Sequence, residues 1–229
     1  PDFLPARLEL ARVYAEDQRD REATSLFTAI AAGIDDRDPA TAGVRGRVQG
    51  YLQALQARRR WKGALSAGPA WSDNINRSSA SRTCLFGVGE DCIIERRLPD
   101  AQRAPGVDYD GSLERRWALA GHHGLYVRGL AFGQAWKDNR AYNELNATVQ
   151  VGYSWRSARH TLLLAPGYDY QALGNRTLQG AAGAHAEWQY ALDPRSLLKL
   201  EADWKRQRYR QPGLADNYDG AMGALYATW

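Results

Sequence analysis

Apolar and polar residues alternate along three consecutive stretches between Asn143 and Tyr190. In the first stretch, every second residue from Leu145 to Trp155 is apolar, and the residues between them are polar or small. A period of two predicts a β-strand with one apolar and one polar face. Each stretch is about ten residues long, the length that crosses a bilayer as a tilted strand. Because tyrosine and tryptophan gather at the strand ends, as at a membrane interface, the pattern predicts part of a transmembrane β-barrel.

The same alternation continues on both sides of this region and predicts about eight antiparallel strands. The connection from Asp73 to Val107, after the first strand, is expected to be a long polar loop. Connections after the second, fourth and sixth strands are expected to be tight, and those after the first, third, fifth and seventh to be longer. The strands are expected over 61–71, 109–120, 125–137, 143–155, 160–170, 178–190, 196–207 and 218–229.

The alternating lengths of the connections predict an orientation, because outer-membrane barrels have short periplasmic turns and long external loops. The residues before the first strand join it on the short-turn side, so we expect them in the periplasm. The loop that contains Cys84 and Cys92 is then expected outside the cell, an oxidising environment in which the two cysteines would form a disulfide. Two reduced thiols are the alternative.

The polar face of the predicted wall is expected to line the lumen, and its charged residues have both signs. A pore selective for one class of ion would favour one sign along its constriction. Mixed charge instead suits a wet lumen, a transient path for a polypeptide, or a lumen closed by internal ion pairs. The residues expected to face the lumen are Glu114, Arg116, His185, Glu187, Lys199, Glu201, Asp203 and Lys205.

The number of strands limits what such a barrel can transport. The interior of a closed eight-stranded barrel is filled by its own side chains, which leaves no room for a polypeptide. An open eight-stranded wall has two edges with unpaired backbone groups, each costing on the order of several kcal/mol in lipid. We therefore expect the chain to be part of a larger barrel, and the alternative is that it does not transport a polypeptide. Because no signal peptide opens the chain at Pro1, we also expect its start to be a mature or truncated end.

The N-terminal quarter has a different period. Apolar residues at helical spacing predict α-helices over 5–17, 20–32 and 44–58, the last after an Asp-rich break that contains Pro39. In the second helix, Ala23-x-x-x-Phe27 is typical of a tetratricopeptide repeat, a unit that normally stacks in arrays. We therefore expect a tetratricopeptide-like helical domain over residues 1–58 and a β-barrel segment over 59–229.

Composition supports a membrane protein and gives no sign of nucleic-acid binding. The chain has 8 Trp and 12 Tyr against 4 Phe, and such amphipathic aromatics suit a membrane interface better than a dry core. The net charge of +4 is mild, so the basic runs at 58–60 and 206–210 are expected to mark membrane rims. A soluble antiparallel sandwich also alternates apolar and polar residues, but it would place small aliphatics and Phe inside.

No motif predicts catalysis, a metal or another cofactor. His122 and His123 are adjacent on a turn without converging partners, and we expect a solvated turn. His185-x-Glu187 matches half of the zinc-deaminase signature, but the P-C-x-x-C half is absent, which favours a hydrogen-bond network in the lumen. No G-x-S-x-G motif, P-loop or Rossmann glycine pattern is present. We therefore expect a protein that is not an enzyme.

Several short motifs, taken in order, resemble one known family. They are PARLELARVY over 5–14, Ala23-x-x-x-Phe27, Tyr51-Leu52-x-Ala54-Leu55 and the WSDNIN sequence over 71–76. Together they resemble the Slam family of surface lipoprotein assembly modulators. The resemblance implies a Gram-negative outer-membrane translocon that helps surface lipoproteins, or soluble haem-capturing proteins in some branches, reach the cell surface. It also implies that the periplasmic helices receive the client, that the barrel passes it on, and that the whole barrel exceeds eight strands.

The resemblance also implies partners and site residues. The expected partners are a protein client, outer-membrane lipid and periplasmic chaperones. A passive porin with a periplasmic helical domain is the second hypothesis, and a soluble β-rich binding module is the third. We expect client contacts at Arg7, Glu9, Arg12 and Tyr14, and structural roles in the family motif at Asp73, Asn74 and Asn76.

Overall fold

Three helices precede ten strands in the structure, a computed structural model that describes residues 3–34, 41, 43–79, 81–88, 91–211 and 219–229. The helices are α1 (Leu4–Glu16), α2 (Asp20–Gly33) and α3 (Val44–Arg59). The strands are β1 (Lys62–Ser72), β2 (Arg82–Val88), β3 (Asp91–Arg97), β4 (Ala104–Ala118), β5 (His123–Trp136), β6 (Glu144–Arg156), β7 (His160–Leu173), β8 (Arg176–Ala191), β9 (Leu197–Tyr209) and β10 (Gly220–Thr228).

Eight of the strands form one antiparallel sheet in the order β1-β4-β5-β6-β7-β8-β9-β10. Successive strands of the sheet are neighbours, as in the wall of an up-and-down barrel. Within the described residues, β1 pairs only with β4 and β10 only with β9, so the sheet is not closed. The prediction of a mainly β protein with about eight barrel-type strands after a short helical region is therefore confirmed.

Two of the expected connections were wrong. The segment from Asp73 to Val107 is not one polar loop, because it contains a hairpin of β2 and β3, and β4 already begins at Ala104. The connection after the fifth strand of the sheet is not long, because only Gly174 and Asn175 lie between β7 and β8. Both residues have positive φ, 60° and 63°, which is the geometry of a type I′ hairpin turn.

The boundary of the last strand was predicted only approximately. We expected this strand to begin at Tyr218, which lies outside the described residues, and the observed strand begins at Gly220. The Asp-rich break at 35–40 likewise lies outside the described residues.

The sheet has one face rich in exposed apolar side chains. Leu65, Val151, Leu164 and Leu225 on this face are 87%, 57%, 43% and 84% exposed. An apolar surface that runs across a whole sheet is unusual in a soluble monomer and usual for the lipid-facing side of a barrel wall. Aromatic residues gather at one end of this face, at Trp61, Trp117, Tyr153, Trp155, Trp188 and Tyr190, and several of them are in ring contact with a neighbour.

The opposite face of the sheet is concave. Arg128 on β5 lies 3.5 Å from Glu187 on β8, although β6 and β7 lie between them in the sheet. Tyr126, Leu163 and Ala165 form a buried cluster at this tightly curved end. Gly152 permits the close approach of β6 and β7 there, because an added Cβ would lie 2.1 Å from the carbonyl oxygen of Leu164.

Adding a methyl group at Gly152 is expected to destabilise the curved wall. In Gly152→Ala, the new Cβ would also lie 2.5 Å from the Cβ of Ala165, and overpacking of this kind costs about 1–3 kcal/mol. Gly129→Ala is the matched control, since a Cβ there meets no atom closer than 3.9 Å. Urea unfolding of both variants in detergent micelles measures the effect, and equal midpoints would contradict this account of the curvature.

The three helices pack around a small core of their own. Ala23 and Phe27 of α2 are 0% and 1% exposed, and the Phe27 ring stacks on Tyr51 of α3 with the ring centroids 4.8 Å apart. The helical spacing of these apolar residues therefore predicted the buried side of α2 correctly. Among the described helices, none combines the length and apolarity needed to cross a membrane.

Candidate functional site

The helices contact the sheet at its short-turn end, which we define by the connections 119–122, 157–159 and 192–196. The turn between α1 and α2 provides the first contacts. Asp17 Oδ2 lies 2.8 Å from His122 Nε2, and the backbone N–H of Ala158 donates to Asp17 Oδ1 over 3.4 Å. The backbone N–H of Gly121 donates to the carboxylate of Glu22 over 2.6 Å. His122 is therefore not on a solvated turn, as the sequence had suggested, but in the contact between helices and sheet.

Asp20 is the buried centre of this contact. It is 4% exposed, lies 2.8 Å from Arg58 of α3 and 3.8 Å from Arg116 of β4. Arg116, itself 8% exposed, donates to Ser154 Oγ over 2.8 Å and to the carbonyl of His122 over 3.0 Å. One carboxylate thus connects two helices to the sheet. We call the set Asp17, Asp20, Glu22, Arg58, Arg116 and His122 the junction.

The ionisation of Glu22 is expected to make the junction sensitive to acid. Burial raises the pKa of Glu22, but hydrogen bonds from the backbone N–H groups of Gly121 and Glu22, with Arg19 nearby, bring the pKa below its ordinary value of 4.5. A carboxyl group with a lowered pKa in the docked state stabilises docking above its ordinary pKa. This contribution disappears as the pH falls through the lowered value.

The variant Glu22→Gln isolates that contribution. The difference in docking free energy between the native chain and Glu22→Gln should be largest near neutral pH and vanish in acid, since other titrating groups are common to both. Electron-resonance distances between a label on α2 and one on β9 measure docking. Glu16→Gln, on the exposed side of α1, is the control. A difference that stayed constant with pH would contradict the prediction.

A second cluster, the charged band, crosses the concave face from β5 to β9. Glu187 is 2% exposed and lies 3.5 Å from both Arg128 and Lys199 and 3.6 Å from His185. Lys199 also lies 2.6 Å from Glu201, and His185 Nδ1 lies 3.0 Å from Asp203. The charged band comprises Arg128, His185, Glu187, Lys199, Glu201 and Asp203.

The residues expected to face the lumen all lie on this concave face. Five of them belong to the charged band and Arg116 belongs to the junction. Glu114 lies beside the band, 4.0 Å from Arg128. Lys205 is apart from the others and pairs with Asp169, which in turn accepts a hydrogen bond from Thr148 over 2.9 Å. Arg128, Asp169 and Ser154 also lie on the concave face; they were not among the residues singled out for the lumen, although each occupies a polar position of the alternating pattern. That alternation was the signal that could have found them.

The charged band includes a set of groups that resembles a metal site. Ligand atoms of His185, Glu187 and Glu201 lie within 4.8 Å of one another. His and carboxylate groups of this kind can bind zinc. Here, however, the ammonium group of Lys199 already lies between the two glutamates, 3.5 Å and 2.6 Å away. The arrangement is that of an internal ion-pair network, and a dication would compete directly with Lys199 and Arg128.

Three of the four expected client-contact residues on α1 contact neighbouring side chains of the helices, and their role in binding a client stays a prediction. Arg12 pairs with Glu9 and, at 2.7 Å, with Glu16. The hydrogen bond from Arg12 holds the pKa of Glu9 below its ordinary value. The ring of Tyr14 packs under the guanidinium of Arg19, 4.4 Å from the ring centroid, and Arg7 is half-buried.

The residues of the WSDNIN motif lie at the base of the β2–β3 hairpin. The side chain of Asn74 accepts from the backbone N–H of Ser78 over 2.9 Å, and Asn76 accepts from the backbone N–H of Gln102 over 2.9 Å. Asp73 is exposed. Within the hairpin, Cys84 and Cys92 are joined by a disulfide. These positions therefore hold a loop at the end of the sheet opposite the helices.

These features define a class of protein. An antiparallel sheet with an apolar outer face, a charged concave face and helices docked at its short-turn end is the wall of a membrane β-barrel with an accessory helical domain. The family model described as surface lipoprotein assembly modifier matches residues 61–229. The chain therefore belongs to the surface lipoprotein assembly modifier family, the Slam family that the motifs had suggested.

Individual relatives agree with this assignment. A hemophilin secretion modulator of Acinetobacter baumannii is 35% identical and aligns with 100% of this chain and 48% of its own length. Surface lipoprotein assembly modifier 1 of Haemophilus influenzae is 26% identical, over 91% of this chain and 40% of its own length. Surface lipoprotein assembly modifier 2 of Neisseria meningitidis serogroup B is 25% identical, over 96% and 46%. No solved structure matches the chain.

Membership of this family shows the general class of the protein and its cellular location. The chain spans about half the length of the curated relatives it matches, as expected for part of a larger barrel. The names of the family and these relatives describe assembly and secretion, and the family is one of transport proteins and not of enzymes. It belongs to the outer membrane of Gram-negative bacteria.

Proposed function

We propose that the whole protein is an outer-membrane translocon that delivers surface lipoproteins, or related secreted haem-binding proteins, to the cell surface. The names of the relatives support both classes of client, since one is a hemophilin secretion modulator and the others are surface lipoprotein assembly modifiers. In this proposal, residues 1–58 form the domain that receives the client, and residues 59–229 form part of the barrel that passes it on. The end of α3 at Arg59 and the start of β1 at Lys62 support this boundary.

The helical domain is proposed to lie in the periplasm. Connections at the short-turn end all have three to five residues, whereas those at the other end include 73–103 and 210–219 beside the two-residue turn of Gly174 and Asn175. Barrels of this class have their short turns in the periplasm. The helices contact the short turns through Gly121, His122 and Ala158, so the same compartment is proposed for both. Periplasmic chaperones would then be able to deliver a client to the helices.

One observation carries the proposal more than any other. The helices are fixed by Asp20 to Arg116, a residue on the concave, polar face of the sheet. A client bound to the helices would therefore be held at the entrance of the polar face. No bond of the client needs to be made or broken, and transport would depend on repeated weak contacts with charged and amide side chains.

Deletion of α1 and α2, residues 4–33, tests the proposal in the full-length protein. Insertion of the barrel is expected to remain normal, because the eight sheet strands are retained, while surface display of a lipoprotein client or release of a secreted client is lost. Surface protease digestion and immunoblots of the medium measure the two outcomes. Unchanged delivery of both classes of client would reject the proposal.

A passive porin with a helical plug is the alternative function. The charged band favours it in one respect, because Glu187 already pairs with both Arg128 and Lys199 across the concave face. A porin would give a steady open conductance in planar bilayers and would have no effect on any surface protein. A translocon would give no steady open conductance, and its loss would reduce the amount of its client at the cell surface.

A further inference from the structure

A recess on the concave face, at the short-turn end, carries a large excess of positive charge. Its wall contains Arg58, Arg60, Lys62, Arg116, Arg128 and Arg156. Glu114 is the one acidic residue on the wall of this recess, among the residues that the structure describes. The cavity volume of the recess is about 30 Å³, which admits a group the size of a carboxylate or one or two water molecules.

Internal pairing neutralises only part of this charge. Asp20 is shared between Arg58 and Arg116, and Arg128 is shared between Glu187 and Glu114. Arg60, Lys62 and Arg156 form no ion pair within the described residues. The Nε atom of Arg156 is also buried without a hydrogen-bond partner. A buried donor without a partner carries a free-energy cost that a bound acceptor would remove.

We propose that this basic recess binds acidic stretches of the client polypeptide as they pass from the helices to the lumen. Almost all its cations are guanidinium groups, whose paired N–H donors match a carboxylate. The proposal rests on the proposed transport function and adds the chemistry by which the passage recognises its cargo.

The position of the recess favours a polypeptide over a lipid. Its walls come from the end of α3 and from the concave face of β1 and β4 to β7, whereas the lipid-facing side of these strands carries residues such as Leu113, Leu125 and Val149. A lipid headgroup approaches from that outer side. A polypeptide released by the helices meets the recess first, because Arg58 and Arg116 belong both to the recess and to the junction.

A peptide-binding experiment tests the proposal on the full-length protein in nanodiscs of phosphatidylcholine. The probe is a fluorescent peptide of alternating glutamate and glycine, and a peptide with glutamine in place of glutamate is the comparison. The triple variant Arg60→Gln, Lys62→Gln, Arg156→Gln removes cations that make no contact with Asp20. We expect it to bind the acidic peptide about tenfold more weakly or worse, because it loses three charge-assisted hydrogen bonds, one of them from the half-buried Arg156.

The matched control removes the same number of charges from the outer face of β9 and the residue after it. Arg206, Arg208 and Arg210 are exposed there, and Arg206→Gln, Arg208→Gln, Arg210→Gln is expected to leave peptide affinity nearly unchanged. Equal melting temperatures of the variants and the native chain show that folding is intact. Equal loss of binding in both triple variants, or equal affinity for the two peptides, would overturn the proposal.

Other ligands are distinguished in the same assay. Complete displacement of the peptide by inorganic phosphate at constant ionic strength, or by phosphatidylglycerol in the nanodisc, would identify a phosphate or lipid site and overturn the proposal. Delivery of the client distinguishes failure of the recess proposal from failure of the proposed transport function. If the recess variant lost peptide binding but delivered the client normally, the recess would have no role in transport, while loss of delivery on deletion of residues 4–33 would still uphold the proposed function.

Discussion

Asp20→Lys is expected to detach the helices from the barrel and to abolish client delivery. The change places a third positive charge between Arg58 and Arg116 at a position that is 4% exposed. Breaking a buried ion pair by removal of one partner costs about 3–5 kcal/mol, and reversal of the charge adds repulsion to that cost.

Distances between spin labels on α2 and on β9 measure the detachment, and surface digestion of the client measures delivery. Glu16→Lys is the matched control, because Glu16 lies four residues earlier, at the end of α1, is exposed and forms its one ion pair within the described residues with Arg12. The barrel itself should still insert in both variants. If Asp20→Lys kept the native label distances, the junction would not be the contact that holds the helices.

Glu187→Lys is expected to prevent stable folding of the barrel wall. The carboxylate of Glu187 is 2% exposed and is the shared partner of Arg128, Lys199 and His185. A lysine there would bring three permanent cations together on a desolvated surface, with a cost of at least about 3–5 kcal/mol. The amount of protein in purified outer membranes, and its heat-dependent mobility in gels, should both fall sharply.

Glu114→Lys provides the comparison for this second variant. Glu114 is on the same face and 4.0 Å from Arg128, but its side chain is 49% exposed, so water screens the new charge. We expect normal amounts of folded Glu114→Lys protein. A similar loss for both variants would mean that the total charge of the concave face matters more than the buried pairs of Glu187.

The alternation of residues predicted the wall well, because its two faces have different surroundings. Val149 and Val151 on β6 face outwards, whereas Ser154 is fully buried on the concave face, as the polar positions of the pattern required. In α2, helical spacing predicted the buried positions Ala23 and Phe27 for the same reason. Where the two sides of a strand or helix differ in burial, the spacing of apolar residues in the sequence shows which side is which.

The β2–β3 hairpin escaped prediction because burial does not distinguish its sides. Every described side chain of these two strands is exposed, so no period of two was selected, and the disulfide between Cys84 and Cys92 joins the strands instead. The junction was not predicted from the sequence for a different reason. Glu22 and Gly121 are 99 positions apart, and Asp17 and His122 are 105 apart, so nothing local in the sequence connects them.

The most direct test of the account is the environment of the two faces in native outer membranes. The 2 cysteines of this chain form a disulfide, so an introduced cysteine is the free thiol available for a nitroxide label within residues 1–229. Labels at Val149→Cys, Leu164→Cys and Leu200→Cys should collide with dissolved oxygen and be shielded from a water-soluble nickel chelate. Labels at Gln150→Cys, Gln171→Cys and Gln207→Cys should show the reverse. The account would be contradicted if the first three labels were shielded from both reagents, as they would be inside a soluble core.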